Sequence, residues 1–195
     1  MVVKRKAVFL DRDGVIVEDV DCLVRAEDIR IFGYVPQALR TLREKGFELV
    51  VVSNQPVVAR GLVSEEGVGK LNREIAAQIE KLGGPLLEHF YFCPHHPNAT
   101  LPEYRVNCEC RKPRTGMLRE AATFHSIDLS RSIMVGDRIT DIIAGRDAGC
   151  VTVMVETGEH LKPPIETPGG IDFGATPDKV FPTLEEAAAW IAEDA

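Results

Sequence analysis

Asp11 and Asp13 stand one residue apart at the end of the apolar run Ala7-Val8-Phe9-Leu10, with Gly14 directly behind them. A buried strand that ends this way carries two carboxylates to the carboxyl lip of a sheet, where open α/β sheets bind ligands. Carboxylates crowded there repel each other unless a cation lies between them, and a hard, oxygen-seeking ion such as Mg²⁺ suits the place. An Asp-Gly turn after a strand is by itself commonplace, but the arrangement returns twice. Ile133-Met134-Val135-Gly136 runs into Asp137, with Asp141 one helical turn beyond. Leu49-Val50-Val51-Val52 runs into Ser53-Asn54-Gln55, a hydroxyl and two amides whose neutral donors suit phosphate oxygens. Between them Arg111-Lys112-Pro113 brings two cations to the start of a helix. Lysine serves phosphate as a point charge, and arginine grips it bidentately. Singly each feature is an ordinary turn or a solvated cation. As an ordered set at strand ends they describe a site for a divalent cation and a phosphate.

A second cluster lies between these motifs. Cys93-Pro94-His95 and Cys108-Glu109-Cys110 form a C-x-H…C-x-C pattern. Three thiolates and an imidazole make a closed tetrahedral zinc site, although the one-residue spacings are tighter than those of a zinc finger. His95 is the favoured imidazole, and the adjacent His96 is the alternative. Four protein ligands leave no open position for substrate, so the zinc would be structural. It would staple a loop of about residues 93–110 and aim Arg111 and Lys112. The competing reading is a set of buried thiols beside a surface histidine. Of the remaining cysteines, Cys150 precedes an apolar strand and reads as a small buried hydrophobe, while Cys22 has no assigned part.

The elements that must position these groups alternate along the chain. Short apolar runs at Ala7–Leu10, Glu48–Val52, Phe90–Phe92, Ile133–Val135 and Val151–Val155 read as strands. The runs Val35–Lys45, Ser64–Leu82, Thr115–Phe124, Thr140–Ala148 and Leu184–Ala192 read as helices. The unbroken apolar run at residues 49–52 marks a strand buried on both faces, as in a parallel sheet. Ser64 followed by two glutamates, and Thr183 followed three residues on by Glu186, are helix starts. Strands alternating with helices predict a doubly wound α/β sheet. Val15–Gly33 and Cys93–Pro113 break the alternation and are too long for plain connections, which marks both as functional. Leu161–Pro177 reads as a Pro/Gly-rich loop.

The 195 residues suit one domain, 1–195. With 45% hydrophobic and 27% charged residues the composition is that of an ordinary globular protein. A net charge of −7 argues against a nucleic-acid partner. No apolar run is long enough to span a bilayer. The apolar stretch near the N-terminus is broken at once by Asp11-Arg12-Asp13, so it is not a signal peptide. The expectation is a cytoplasmic protein, a monomer, that handles a phosphorylated small molecule without nucleic acid or membrane.

Asp11-Arg12-Asp13-Gly14, Ser53, Lys112 and Gly136-Asp137 through Asp141 resemble, in order, the four motifs of the haloacid dehalogenase-like (HAD) phosphatases. The resemblance runs from Val8 to about Val155. Cys93-Pro94-His95-His96-Pro97, Asn107-Cys108-Glu109-Cys110-Arg111-Lys112-Pro113 and Ala59-Arg60-Gly61 narrow it to the zinc-containing branch. That branch includes D-glycero-D-manno-heptose 1,7-bisphosphate phosphatases, the nearer match, and histidinol-phosphate phosphatases. It implies a Rossmann-like parallel sheet flanked by helices, with a minimal cap and a zinc-bound loop insertion. Two departures fall where the sugar would be read. Pro56 replaces a residue whose N–H could touch ligand, and Asp19-Val20-Asp21-Cys22 stands where the family commonly has a glycine and a tyrosine.

The resemblance, together with the chemistry, implies roles. Asp11 is the nucleophile that forms an aspartyl-phosphate. Asp13 is the general acid, then base. Mg²⁺ is held by Asp11, Asp137 and Asp13, the last through its backbone carbonyl. Ser53, Asn54 and Lys112 bind the phosphoryl oxygens. Arg111 and Arg60, with Asp19 as a weaker candidate, contact the substrate beyond them, and Asp141 supports Lys112 or the Mg²⁺ shell. Zinc is held by Cys93, His95, Cys108 and Cys110. The expected reaction is Mg²⁺-dependent removal of the C7 phosphate from the heptose bisphosphate. The alternatives are histidinol-phosphate hydrolysis and, in another class, a non-catalytic zinc-stapled module that binds phosphorylated ligands.

Overall fold

The computed structural model describes residues 4–20, 22–159 and 174–194. Six strands form one parallel sheet: β1 (Ala7–Leu10), β2 (Glu48–Asn54), β3 (His89–Cys93), β4 (Ile133–Gly136), β5 (Val151–Val155) and β6 (Lys179–Phe181). Their order is β3-β2-β1-β4-β5-β6. The chain starts in the middle, steps outward to β3, then returns to the other side of β1 and steps outward again. The reversal lies between β1 and β4, and a crevice opens there beyond the carboxyl ends of the strands. Asp11 follows β1 and Asp137 follows β4. The ladder continues into the crevice, because the Asp11 N–H donates to the Val135 carbonyl at 3.0 Å.

Alternation along each strand builds two cores. Val8 and Leu10 of β1, with Leu49 and Val51 of β2, face one side. There they meet α1 (Val35–Glu44), α3 (Glu65–Lys81) and α6 (Leu184–Asp194). Ala7 and Phe9, with Val50 and Val52, face the other side and meet α4 (Gly116–His125) and α5 (Ile139–Ala148). Each fully buried Val, Leu, Ile or Phe contributes about 1.5–3 kcal/mol. The two filled layers therefore fix the sheet that carries the site. Ser64 caps α3 by accepting from the Gly67 N–H at 3.1 Å, as the sequence indicates.

The five expected strands and five expected helices are all present, with ends shifted by at most two residues. Among the described strands and α-helices, two were not read from the sequence. β6 is three residues long and mostly exposed, too short to show a pattern. The other is α2 (Pro56–Ala59), a single turn with Pro56 at its first position. There a missing N–H costs no helical hydrogen bond, which explains how Pro56 is accommodated. Most of the expected loop 161–177 lies outside the described residues. Cys150 is buried, and burial pushes its thiol up to about 12, in keeping with a packing role. Among the described residues no helix is long and apolar enough to cross a membrane.

Candidate active site

Three carboxylates meet at the crevice. Asp11, Asp137 and Asp141 are buried, and one oxygen of each lies within 4.8 Å of the others. The Lys112 ammonium enters the same group, 2.9 Å from Asp11 Oδ2 and 2.6 Å from Asp141 Oδ1. It also donates to the Val52 carbonyl at 2.7 Å. Burial opposes the charge on Lys112, but Asp11 and Asp141 outweigh it and hold the ammonium above its ordinary pKa. One cation against three anions leaves the group under-neutralised. Burial, then repulsion from Asp11 and Asp141, pushes Asp137 up to about 8. Burial lifts Asp11 to about 6 against the pull of Lys112. Asp137 Oδ1 is buried with no hydrogen-bond partner among the described residues. An acceptor left open beside two further carboxylate oxygens fits a hard divalent cation in place of the missing charge.

Close backbone approach holds these acids. A Cβ on Gly136 would lie 2.2 Å from the Asp141 Cβ, so only glycine allows this close approach. Asp137 Oδ2 accepts from the Glu159 N–H at 2.7 Å and lies between Gly14 and Gly158, where a Cβ on either would strike it. Asp141 Oδ2 accepts from the Arg138 N–H at 3.0 Å at the start of α5.

Asp13 is not in the carboxylate cluster. Its side chain turns to Arg12, whose Nη2 donates to both carboxylate oxygens at 3.0 Å, and to Gln55 Nε2 at 2.8 Å. Only its backbone is left to serve a cation beside Asp11, and Asp141 is the third acid. Arg12 is 1% exposed and also donates to Asn72 Oδ1 and Gln55 Oε1. Gln55 Nε2 donates in turn to Ser53 Oγ at 2.7 Å. Arg12 and Gln55 thus form a buried frame under Asp13 and Ser53. The sequence held a signal for it, since the arginine of D-R-D-G has a carboxylate on either side of it in the chain.

Asn54 differs from its expected part as a phosphate donor. Its Oδ1 accepts from the Lys112 N–H and its Nδ2 donates to the Lys112 carbonyl, both at 3.0 Å. That pair of bonds pins the lysine backbone to the end of β2, so Asn54 positions Lys112. A cleft of about 320 Å³ opens above these groups, lined by Asp11, Asp13, Ser53, Lys112, Arg60 and Arg111 among others. Asp19 lies on its rim beside Arg138, at 3.7 Å, and Arg138 also pairs with Glu159. Arg138 and Glu159 are rim residues that the sequence reading missed, because the segments that carry them are distant in the chain. Cys22 accepts from Arg60 Nη1 at 3.3 Å, which gives it a contact at the cleft edge.

Cys93, His95, Cys108 and Cys110 gather as the spacing suggests, with their ligand atoms all within 4.8 Å of one another. Cys110 Sγ lies 3.0 Å from Cys93 and 3.2 Å from Cys108, and 3.4 Å from His95 Nδ1. Its hydrogen bond with Cys93, helped by those with Cys108 and His95, outweighs burial and lowers Cys110 to about 5. Three soft donors and an imidazole on the four corners of one small volume fit a tetrahedral zinc ion. His96 is not in this group. Arg111 Nη1 donates to the His95 carbonyl at 3.0 Å, and Arg114 Nη1 to the Cys108 carbonyl at 3.1 Å. The cluster and the cations Arg111 and Lys112 therefore share one loop.

Known proteins resemble this chain. A profile described as HAD-hydrolase-like matches residues 109–187. A D-glycero-D-manno-heptose-1,7-bisphosphate 7-phosphatase of Thermosynechococcus vestitus is 37% identical over 190 residues, which is 96% of this chain and 95% of that one. A D-glycero-beta-D-manno-heptose-1,7-bisphosphate 7-phosphatase of Haemophilus ducreyi is 39% identical over 80% of this chain and 86% of its own. The crystal structure of D,D-heptose 1,7-bisphosphate phosphatase from B. bronchiseptica, complexed with magnesium and phosphate, superposes with a TM-score of 0.80 at 28% identity. It covers 97% of this chain and 99% of its own. With the strand-end acids and lysine in one crevice and near full-length likeness at these identities, the chain belongs to the HAD-like phosphatases, in the D-glycero-D-manno-heptose-1,7-bisphosphate 7-phosphatase family.

Proposed function

We propose that this protein removes the C7 phosphate of D-glycero-D-manno-heptose 1,7-bisphosphate, with Mg²⁺ at Asp11, Asp137 and the Asp13 backbone carbonyl. The observation that carries the reading is the Lys112 ammonium shared by Asp11 and Asp141 beside the open oxygen of Asp137. It supplies a nucleophile, a phosphate-binding cation and a place for a metal in one buried crevice. Bound there, Mg²⁺ would offset the negative charge between carboxylate and phosphate and help align the two.

An Asp11 carboxylate oxygen attacks phosphorus, and the bond from phosphorus to the C7 oxygen breaks. Asp13 gives its proton to that departing oxygen. It then takes a proton from water, whose oxygen attacks the aspartyl-phosphate and releases inorganic phosphate and Asp11. Ser53 Oγ and Lys112 Nζ hold the phosphoryl oxygens as charge builds on them. Lys112 must loosen one of its three present acceptors to do so. Asp141 and Asn54 keep it in place. Arg60, Arg111 and Asp19 contact the sugar end. A zinc ion on Cys93, His95, Cys108 and Cys110 holds the loop that carries Arg111 and Lys112. The protein works as a single-domain monomer in the cytoplasm.

Histidinol phosphate has no support among the relatives reported above, and a purely binding module does not accord with membership in a hydrolase family. The test is phosphate release by purified protein with Mg²⁺ from the heptose bisphosphate and from histidinol phosphate. The bisphosphate is expected to be preferred at least ~100-fold in kcat/KM, and Asp11→Asn to abolish turnover while leaving the fold intact. Faster turnover of histidinol phosphate would reverse the substrate assignment. Retention of most activity by Asp11→Asn would remove the covalent mechanism.

A further inference from the structure

His96 has no part in the cluster that its neighbour His95 joins. It is 8% exposed and lines the same cleft as Asp11, near Arg60 and Arg111. Its Nδ1 accepts from the Asn98 N–H at 3.0 Å, so the neutral ring carries its proton on Nε2. That Nε2–H is buried and meets no acceptor among the described residues. Arg111 repeats the pattern. Its Nη1 is tied to the His95 carbonyl, while its buried Nε has no acceptor among the described residues. Buried donors are almost always paired, and an unpaired one needs an explanation. Both residues line the cleft that holds the nucleophile, and two such donors point to a shared cause, an acceptor that arrives with the ligand.

We propose that His96 Nε2–H and Arg111 Nε–H together bind an oxygen acceptor at the non-reacting end of the substrate, so that His96 is a specificity-determining residue for phosphate esters with a second oxyanion. The cationic setting decides the class of acceptor, because Arg60 and Arg111 lie on the same cleft and favour an anionic oxygen over a neutral hydroxyl. The inference rests on the phosphatase reading above and extends it to the part of the substrate that does not react.

Two variants separate the ring's two nitrogens. His96→Asn keeps an acceptor for the Asn98 N–H and deletes the Nε2 donor. His96→Gln keeps a donor near the Nε2 position. Each is assayed with Mg²⁺ on the heptose bisphosphate and on phenyl phosphate, which has no distal oxyanion, and its bound zinc is measured alongside. His96→Asn should lose about 10- to 100-fold in kcat/KM on the bisphosphate, mostly through KM, as expected for a hydrogen bond to a charged group. It should stay within about twofold on phenyl phosphate, with zinc unchanged, and His96→Gln should recover part of the loss. Equal losses on both substrates, or no loss on the bisphosphate, would overturn the role of His96 while leaving the substrate reading intact. A wild-type enzyme that treats the two esters alike would overturn both.

Discussion

Gly158 holds no catalytic group, yet its replacement by alanine is expected to disable the metal site. A Cβ at this position would lie 2.2 Å from Asp137 Oδ2 and 2.9 Å from the Gly14 Cα, and real Cβ contacts essentially never fall below 3.0 Å. The Asp137 carboxylate and the turn must therefore separate by about 0.8 Å or more, the gap between 2.2 and 3.0 Å. Backbone blocks one escape, since Gly14 lies on the other side, and the Glu159 N–H bond to Asp137 at 2.7 Å would be broken. A displacement near 1 Å at a reacting centre costs up to ~100-fold in rate. Gly158→Ala should accordingly lower kcat/KM by about 10- to 100-fold and raise the Mg²⁺ concentration for half-activation about tenfold, equivalent to ~1.4 kcal/mol of metal affinity. The assay is a Mg²⁺ titration of phosphate release, with Gly33→Ala as control. No atom lies within 4 Å of a Cβ built at Gly33, so that change should leave activation untouched. A Gly158→Ala enzyme with wild-type Mg²⁺ activation would refute the claim that this turn sets the position of Asp137.

Four further outcomes follow from the geometry. Asp137 at about 8 and Asp11 at about 6 mean that the metal-free protein holds protons that Mg²⁺ must displace. Binding should tighten from pH 6 to 8 and release about one proton near pH 7, read by calorimetry in buffers of different ionisation enthalpy. Because these pKa values lie above the ordinary carboxylate range, their favourable contribution to folding is present at low pH and is lost as pH rises through about 8. Melting temperature should fall over that range without Mg²⁺ and hold with it; equal pH dependence in both states would contradict the assignment. Cys108→Ser, or chelation, should empty the Cys/His cluster, speed hydrogen exchange across residues 93–113 and lower activity, whereas an active protein without stoichiometric zinc would refute the zinc reading. Asn54→Ala removes both bonds to the Lys112 backbone and should cost about 1–3 kcal/mol of stability. It should also lower kcat at least ~10-fold, and unchanged kcat would show that Lys112 needs no such clamp.

The sequence alone determined the sheet and the places where chemistry could occur. The apolar runs Ala7–Leu10, Leu49–Val52 and Ile133–Val135 read as strands of a parallel sheet, which carries the polar residues that follow each run to one lip. The Cys/His spacing likewise made the four-residue cluster legible before any fold was known. What one chain direction cannot encode locally is which partners meet. The bond of Gln55 to Asp13, the clamp of Asn54 on Lys112 and the seat of Asp137 between Gly14 and Gly158 join segments up to about 140 residues apart. The sequence favoured His95 over its neighbour His96 as the fourth ligand, and the packing agrees, since His95 is the ring that reaches the thiols. Where the other ring goes is decided by packing alone, which leaves His96 buried against the cleft with an Nε2 that has no partner among the described residues.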